Sequence, residues 1–283
     1  MDADRLGRLL GAAVAEVRPV TGGDICAAYQ VRLRDGRTVF AKTASVSPDF
    51  FAAEARGLDW LAAGGAPVPA VLGYDAEALI LSWLPPGSPT PAGAARAGAD
   101  LAALHLSGAP TFGAGWPGYI GSLPMDNGAE PSWPEFYALR RIEPYVRRLR
   151  DRGALADTGP FDRLAARLPE LAGPPEPPAR LHGDLWSGNL LWSASGRAYL
   201  VDPAAHGGHR ETDLAMLDLF GAPLLDRILD SYANAAAERG SPLAPGWPDR
   251  VPLHQLFPLL VHAVLFGGGY RDRAVAVARR YAG

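Results

Sequence analysis

Asp184 and Asn189 in HGDLWSGN, and Asp202 in LVDP, are polar residues at the edges of short apolar runs. Asp184 and Asn189 lie five positions apart across a loop, and Asp202 closes the run Tyr199-Leu200-Val201, so a hairpin can bring all three side chains to one end. Phosphoryl transfer to a hydroxyl needs such a set. One carboxylate orients the alcohol and accepts its proton, while an amide oxygen and a second carboxylate are oxygen ligands for Mg²⁺. A cation must also hold the nucleotide phosphates. Lys42, in GRTVFAKT, is the only lysine among 27 lysines and arginines. Its ammonium is a compact point donor, whereas a guanidinium is a wide planar fork that would displace the phosphates it should hold.

The elements that must position these groups follow from periodicity. AYQVRLRDGRTVFAKTA alternates apolar and polar residues on both sides of Asp35-Gly36, the pattern of two antiparallel strands and a tight turn, which puts Lys42 on a strand. SPDFFAAEARGLDWLAAGG reads as a helix with Ser47 at the N-cap, Pro48 in the first turn and Gly64-Gly65 as the stop. Steps of four, four and three put Glu54 on one face with Phe50, Leu58 and Leu61, where a carboxylate needs a cation; Lys42 is the candidate. VPAVLGYDAEALILSWL reads as two further strands, and the rigid linker PPGSPTP then separates residues 1–84 from residues 85–283. Beyond it the pattern is helical, except for strands expected at Asn189–Trp192 and Ala198–Val201 around a Ser-Gly turn. The N-terminal MDADRLGRLLGAAVAEV reads as a short amphipathic helix.

Composition narrows the classes. A net charge of −3 without long runs of one sign leaves no electrostatic footprint for nucleic acid and no basic surface for anionic membranes. The longest apolar run, Leu256 to Phe266, contains Pro258 and His262 and falls short of the ~20 residues of a membrane helix. One cysteine, Cys26, excludes an intrachain disulfide, and a reducing cytoplasm fits.

At GGDI, FAKT with AEARGLDWL, YIGSLPMDN, LHGDLWSGN, VDPAAHGGHRETDLAM and LFGGGY, spread over nearly the whole chain, the sequence resembles the fructosamine kinases, or ketosamine-3-kinases, relatives of aminoglycoside and choline kinases. The resemblance implies an α+β, two-lobed protein-kinase-like fold: a small N-terminal lobe of antiparallel sheet plus helix, a hinge, and a larger, mostly helical C-terminal lobe. It implies ATP and Mg²⁺ as cofactors and a ketoamine, free or protein-bound, as the partner phosphorylated on its sugar 3-hydroxyl. Residue by residue, Asp184 becomes the catalytic base, with Asn189 and Asp202 as metal ligands. Lys42, held by Glu54, is placed on phosphate, and Gly22 and Gly23 in the covering loop VTGGDICAAYQV, which lacks the full G-x-G-x-x-G pattern. Trp83 and Leu84 are placed at the hinge where backbone meets adenine. Trp186, Tyr119 and Asp213 are the substrate-side candidates, Asp213 also anchoring the catalytic-loop backbone.

Rival readings fail on particular residues. GRTVFAKT misses a P-loop by Ala41 in place of the second glycine, and its β-branched run prefers a strand. A two-metal phosphoesterase lacks Asp-x-His and Gly-His-x-His. A degenerate, non-catalytic kinase fold is disfavoured because every catalytic position carries a competent residue. An aminoglycoside- or choline-type phosphotransferase is the alternative within enzymes, although no acidic cluster suited to polycationic antibiotics is evident. His206 and His209 lie near Asp202, but kinase-type Mg²⁺ prefers oxygen. His182 is expected to support the catalytic loop rather than react. Cys26 would be an oxidisable thiol if loop amides lowered its pKa, and a buried small side chain otherwise.

Overall fold

A computed structural model describes residues 3–21 and 25–283. Helix α1 (Ala3–Leu10) leads into β1 (Val14–Val20), β2 (Ala27–Leu33) and β3 (Thr38–Thr43); α2 (Phe50–Ala63), β4 (Val71–Tyr74) and β5 (Ala78–Ser82) follow. The five strands form one antiparallel sheet in the order β1-β2-β3-β5-β4. Alternation along β3 decides what each face carries. Val39 and Ala41 turn toward α1, where they pack with Leu6, Val31, Leu33 and Ile80. Phe40 turns to the opposite face and packs with Phe50, Phe51, Leu58 and Leu79. Lys42, two residues on from Phe40, shares that face because side chains on a strand repeat with period two.

The C-terminal lobe contains α3 (Pro91–Leu106), the hairpin β6 (Gly118–Ile120) and β7 (Leu123–Met125), α4 (Trp133–Phe136), α5 (Glu143–Asp151) and α6 (Gly159–Leu171). A π-helical segment, Tyr137–Ile142, joins α4 to α5. Four short strands follow, β8 (Ala179–Leu181), β9 (Leu190–Trp192), β10 (Ala198–Leu200) and β11 (His206–Gly208), then α7 (Glu211–Phe220), α8 (Leu225–Glu238), α9 (Trp247–Phe266) and α10 (Gly269–Ala282). β9 pairs with β10 and β8 with β11, so the segment bearing HGDLWSGN and VDP is held from both sides. One core joins Tyr137, Tyr145 and Phe161 to Leu256, Phe257 and Leu260; a second joins Leu101, Leu104, Leu190 and Trp192 to Leu217 and Tyr232. A five-stranded antiparallel sheet with α2 against one face, followed by a mostly helical remainder, is the expected two-lobed α+β architecture.

Local expectations need correcting at three places. The N-terminal helix stops at Leu10, where Gly11 takes φ +58°, and Val14–Val20 becomes the edge strand β1 because its residues pair with β2. Helix α2 begins at Phe50 after Asp49, which makes no side-chain cap; Ser47 instead closes a preceding turn by accepting the Phe50 amide at 3.0 Å. Asn189 ends a 3₁₀ turn, Ser187–Asn189, rather than starting a strand. That turn re-aims its side chain toward Asp184. The weak hairpin β6–β7 and the pair β8–β11 are too short to show in periodicity.

Candidate active site

Lys42 is 4% exposed, and its ammonium meets two carboxylates: Glu54 Oε2 at 2.6 Å and Asp202 Oδ1 at 2.7 Å. Strand alternation delivers the lysine, helical period the glutamate, and the turn after β10 the aspartate. Burial works against the Lys42 charge, but Asp202 and Glu54 outweigh it and hold the ammonium above the ordinary lysine pKa. Burial, with Asp202 adding to it, pushes the Glu54 carboxyl up to about 7 against the pull of Lys42. Asp202 goes the other way, because Lys42 overrides its own desolvation. Its side chain is 47% exposed, and its backbone sits at φ +53°, a left-handed conformation rare for a non-glycine residue. Strain of that kind turns a carboxylate in a direction the strand alone would not.

The catalytic-loop candidates meet as the spacing requires. Asn189 Nδ2 donates to the Asp184 carbonyl at 2.8 Å and to Asp184 Oδ2 at 3.1 Å, and it lies 3.5 Å from the Asp202 carbonyl. Orienting the amide nitrogen this way leaves Asn189 Oδ1 as an oxygen donor with no hydrogen-bond partner among the described residues. That oxygen and the half-exposed Asp202 carboxylate are the donor types a hard divalent cation takes, so the residues fit Mg²⁺. Burial, then the Asp202 charge, raise the Asp184 carboxyl to about 7. A carboxylate with a pKa there accepts a proton from an alcohol better than an ordinary aspartate does.

The loop is braced from beneath. Asp213, at the start of α7, is fully buried and accepts the His182 amide at 2.8 Å and the Gly183 amide at 2.9 Å. It therefore lies behind the loop and does not face a substrate, which corrects its place among the substrate-side residues. His105 Nε2 is 3.1 Å from the same carboxylate, and its Nδ1 is 2.9 Å from the Tyr232 hydroxyl. His182 lies 2.9 Å from the Val201 carbonyl through Nε2 and accepts the Asp184 amide at Nδ1, 3.3 Å away; burial keeps it neutral. Gly183 is at φ +82°, and a Cβ there would collide with the Ala204 carbonyl. Sequence reasoning missed His105 and Tyr232. The one available signal was a histidine on the apolar face of α3.

Around this centre the remaining candidates take different places. Trp83 and Leu84 are half-buried directly after β5, and the linker beyond them is pinned to the C-terminal lobe by Ala194 N to Pro85 O and Gly87 N to Trp192 O, both 2.8 Å. Trp186 is 41% exposed; its ring folds over Gly188, where a Cβ would not fit, and meets Phe220 edge-on at 6.2 Å. Phe220 continues to His262 at 4.8 Å, and His262 to Phe266 at 5.5 Å and Tyr270 at 5.0 Å, making an aromatic wall that runs on from the catalytic loop. Of this wall, sequence analysis named Trp186 as a substrate-side candidate but not Phe220 or His262. Tyr119 packs edge-on against Phe50 of α2 at 5.3 Å. Gly22 and Gly23 lie outside the described residues. Cys26 is half-buried, and burial raises its thiol pKa, with Glu54 and Asp202 adding to it against Lys42, so the low-pKa thiol is not what this environment makes. Among the described residues, the histidines beside VDP assemble with other partners. His209 joins Glu211 and His254 in a buried cluster, where Arg250 takes both Glu211 oxygens at 2.5 and 2.9 Å. His206 is 2.8 Å from the Ala204 carbonyl.

Comparison with known proteins shows the family and the fold. The family model described as fructosamine kinase matches residues 4–282. A curated relative from Enterococcus faecium, named "Probable ketoamine kinase", is 35% identical over 262 residues, covering 90% of this chain and 91% of its own. A solved Thermobifida fusca structure, assigned as a fructosamine-3-kinase, superposes with a TM-score of 0.90 at 51% identity, covering 99% of this chain and 97% of its own. An aminoglycoside phosphotransferase solved with ADP and hygromycin B shares the fold at a TM-score of 0.63 and 18% identity, over 99% of each chain.

Proposed function

The chain belongs to the fructosamine kinase family of phosphotransferases, and from that premise we propose that it transfers the γ-phosphoryl group of ATP to the 3-hydroxyl of a ketoamine sugar. The observation that carries this reading is the convergence of Lys42, Glu54, Asp184, Asn189 and Asp202, drawn from distant segments, into one polar centre beside an exposed aromatic wall. Asp184 accepts the proton of the acceptor hydroxyl. As the oxygen it leaves behind forms its bond to the γ-phosphorus, the bond to the β–γ bridging oxygen breaks and ADP departs. Lys42, held in place by Glu54, carries the positive charge toward the nucleotide phosphates, and the Trp83-Leu84 backbone lies where adenine meets the hinge. Asn189 Oδ1 and Asp202 would hold Mg²⁺, which supplies charge neutralisation on the phosphate oxygens. His182, Asp213 and His105 keep the loop that bears Asp184 from shifting, and geometry of that kind is most of what phosphoryl transfer asks of a protein. We divide the chain at residues 84 and 85, nucleotide on the first side and acceptor on the second.

The acceptor side supports a ketoamine. Trp186, Phe220 and Phe266 offer flat apolar faces to a sugar and, through cation–π attraction, to its attached amine. Phosphorylation of that sugar on a glycated amine would be a deglycation or repair step, which we place in the cytoplasm on the single-cysteine composition. The test is ADP release with ATP and Mg²⁺ against fructosamines, ribulosamines, erythrulosamines, aminoglycosides and choline, with the phosphorylated carbon located by NMR. Turnover confined to ketoamines with phosphate on the 3-oxygen is the expected result. Turnover on aminoglycosides or choline alone would overturn it.

A further inference from the structure

A cleft of about 670 Å³, whose wall includes no residue of the HGDLWSGN loop, opens between the β6–β7 hairpin and α5. Its wall includes Trp116, Tyr119, Asn127, Tyr145, Arg147 and Arg148. Behind Asn127 lies Arg141, on the π-helical segment, 1% exposed and set between the rings of Phe136 at 4.5 Å and Phe257 at 5.3 Å. The guanidinium donates to the Asp126 carbonyl at 2.6 Å and to Asn127 Oδ1 at 2.7 Å, both uncharged acceptors. It makes no ion pair among the described residues, and its Nε has no hydrogen-bond partner. A buried cation without a paired anion is costly, and one that persists marks a place where negative charge is wanted.

Among the described residues, other donors around it lack partners or hold only long contacts. Arg141 fixes the Asn127 amide by taking its oxygen, which turns Nδ2 toward Gly118, another residue of the cleft wall, where a Cβ would collide with it. That Nδ2 and the buried Tyr145 hydroxyl both lack partners among the described residues. At the mouth, Arg148 stacks over the Tyr145 ring at 5.6 Å and has no carboxylate partner among the described residues, only a 3.5 Å approach to the Pro124 carbonyl. Arg147 is exposed and reaches Glu143 at no closer than 3.5 Å. The one acid in the wall, Asp126, is already engaged by Arg140 at 2.6 Å, and Arg140 also pairs with Glu130.

We propose that this cleft is an anion-binding site that takes a small ligand bearing a phosphate or carboxylate group, held at the mouth by Arg148 and Arg147 and favoured by the buried charge of Arg141. Charge-assisted hydrogen bonds from two guanidinium groups to one oxyanion are strong and geometrically specific, and the aromatic walls of Trp116 and Tyr119 suit an apolar body attached to it. The charged residues of this site lie outside the catalytic centre, and its wall shares only Tyr119 with the substrate-side candidates.

Titration calorimetry on the full chain tests it, with inorganic phosphate and succinate as separate probes. A saturating non-hydrolysable ATP analogue blocks phosphate from the nucleotide site. The expected result is one-to-one binding of at least one probe, weakened at least about tenfold in the Arg147→Ala/Arg148→Ala double variant and largely restored in the corresponding lysine variant. Circular dichroism checks that both variants fold. Preference for phosphate would assign a phosphorylated ligand, and preference for succinate a carboxylic acid. No saturable heat from either probe up to about 10 mM, or equal binding by wild type and the alanine variant, would overturn the proposal.

Discussion

Replacing Lys42 tests the site's physics more sharply than any other change, because two substitutions separate charge from shape. Lys42 is 4% exposed, and its ammonium is bonded at 2.6 Å to Glu54 and 2.7 Å to Asp202. Lys42→Met keeps the aliphatic length but leaves two carboxylates facing each other without a cation, and breaking a buried ion pair from one side costs about 3–5 kcal/mol. Glu54 limits that loss. Its carboxyl already sits at about 7 and rises further once Lys42 is gone, so it takes up a proton in the folded variant. A carboxyl whose folded pKa exceeds its unfolded value near 4.5 binds more protons folded than unfolded between the two, so the variant gains stability as pH falls through that window. We therefore expect a loss of about 3 kcal/mol at neutral pH, larger at pH 8 and smaller at pH 6. Lys42→Arg keeps the charge but puts a wider group into a packed space, at a cost of about 1–3 kcal/mol. Its turnover should fall at least about a hundredfold, since the fork occupies space meant for phosphate. Urea unfolding followed by circular dichroism gives the stabilities, and a coupled ADP-release assay gives the rates. Turnover in Lys42→Arg above about a tenth of wild type would refute the shape argument. A pH-independent loss in Lys42→Met would refute the account of Glu54.

Four further outcomes are expected. Asp184→Asn should lower turnover by about 10²–10⁴ with the circular dichroism spectrum unchanged, as loss of a general base does; near-wild-type rates would remove Asp184 from that role. Asp213→Asn deprives two buried loop amides of a full carboxylate and should cost about 1–3 kcal/mol per unmet group, with kcat falling more than either KM; a change confined to stability would show that the loop does not depend on it. His206 and His209 are held neutral by burial down to about 3, below the unfolded value near 6.5. The unfolded chain thus binds more of their protons in that window, so each histidine should subtract about 1.4 kcal/mol of stability per unit of falling pH, against the opposite trend of the raised Glu54 and Asp184 carboxyls. The measure is the difference in urea stability between wild type and His206→Gln or His209→Gln from about pH 6 to pH 5, and a difference that does not change with pH would contradict it. Trp186→Ala should raise KM for the ketoamine while leaving KM for ATP unchanged, and an effect on ATP alone would move Trp186 off the acceptor wall.

Much of the site was legible in the linear order of residues, because its members sit where local rules speak loudly. Lys42 follows a turn signal on an alternating strand, Glu54 falls on an apolar helical face, and Asp184, Asn189 and Asp202 flank one small hairpin. Period and turn chemistry are local properties and can be read from neighbours. The brace behind the catalytic loop was not legible. Asp213, His105 and Tyr232 come from α7, α3 and α8, and nothing in their own surroundings says that they meet. Phe220 and His262 joined the aromatic wall beside Trp186 for the same reason.

Sequence alone thus determined the kind of chemistry, the strand and helix that carry the lysine and its glutamate, and the family. Tertiary structure decided which carboxylate faces cleft and which faces core. Asp202 and Asp213 look alike in sequence, each acidic and each close to the catalytic loop. A left-handed turn leaves the first half-exposed beside Lys42, while α7 buries the second against the loop amides. The physical reason is that a charge's role depends on what desolvates it and what pairs with it. Both are set by elements far away in the chain.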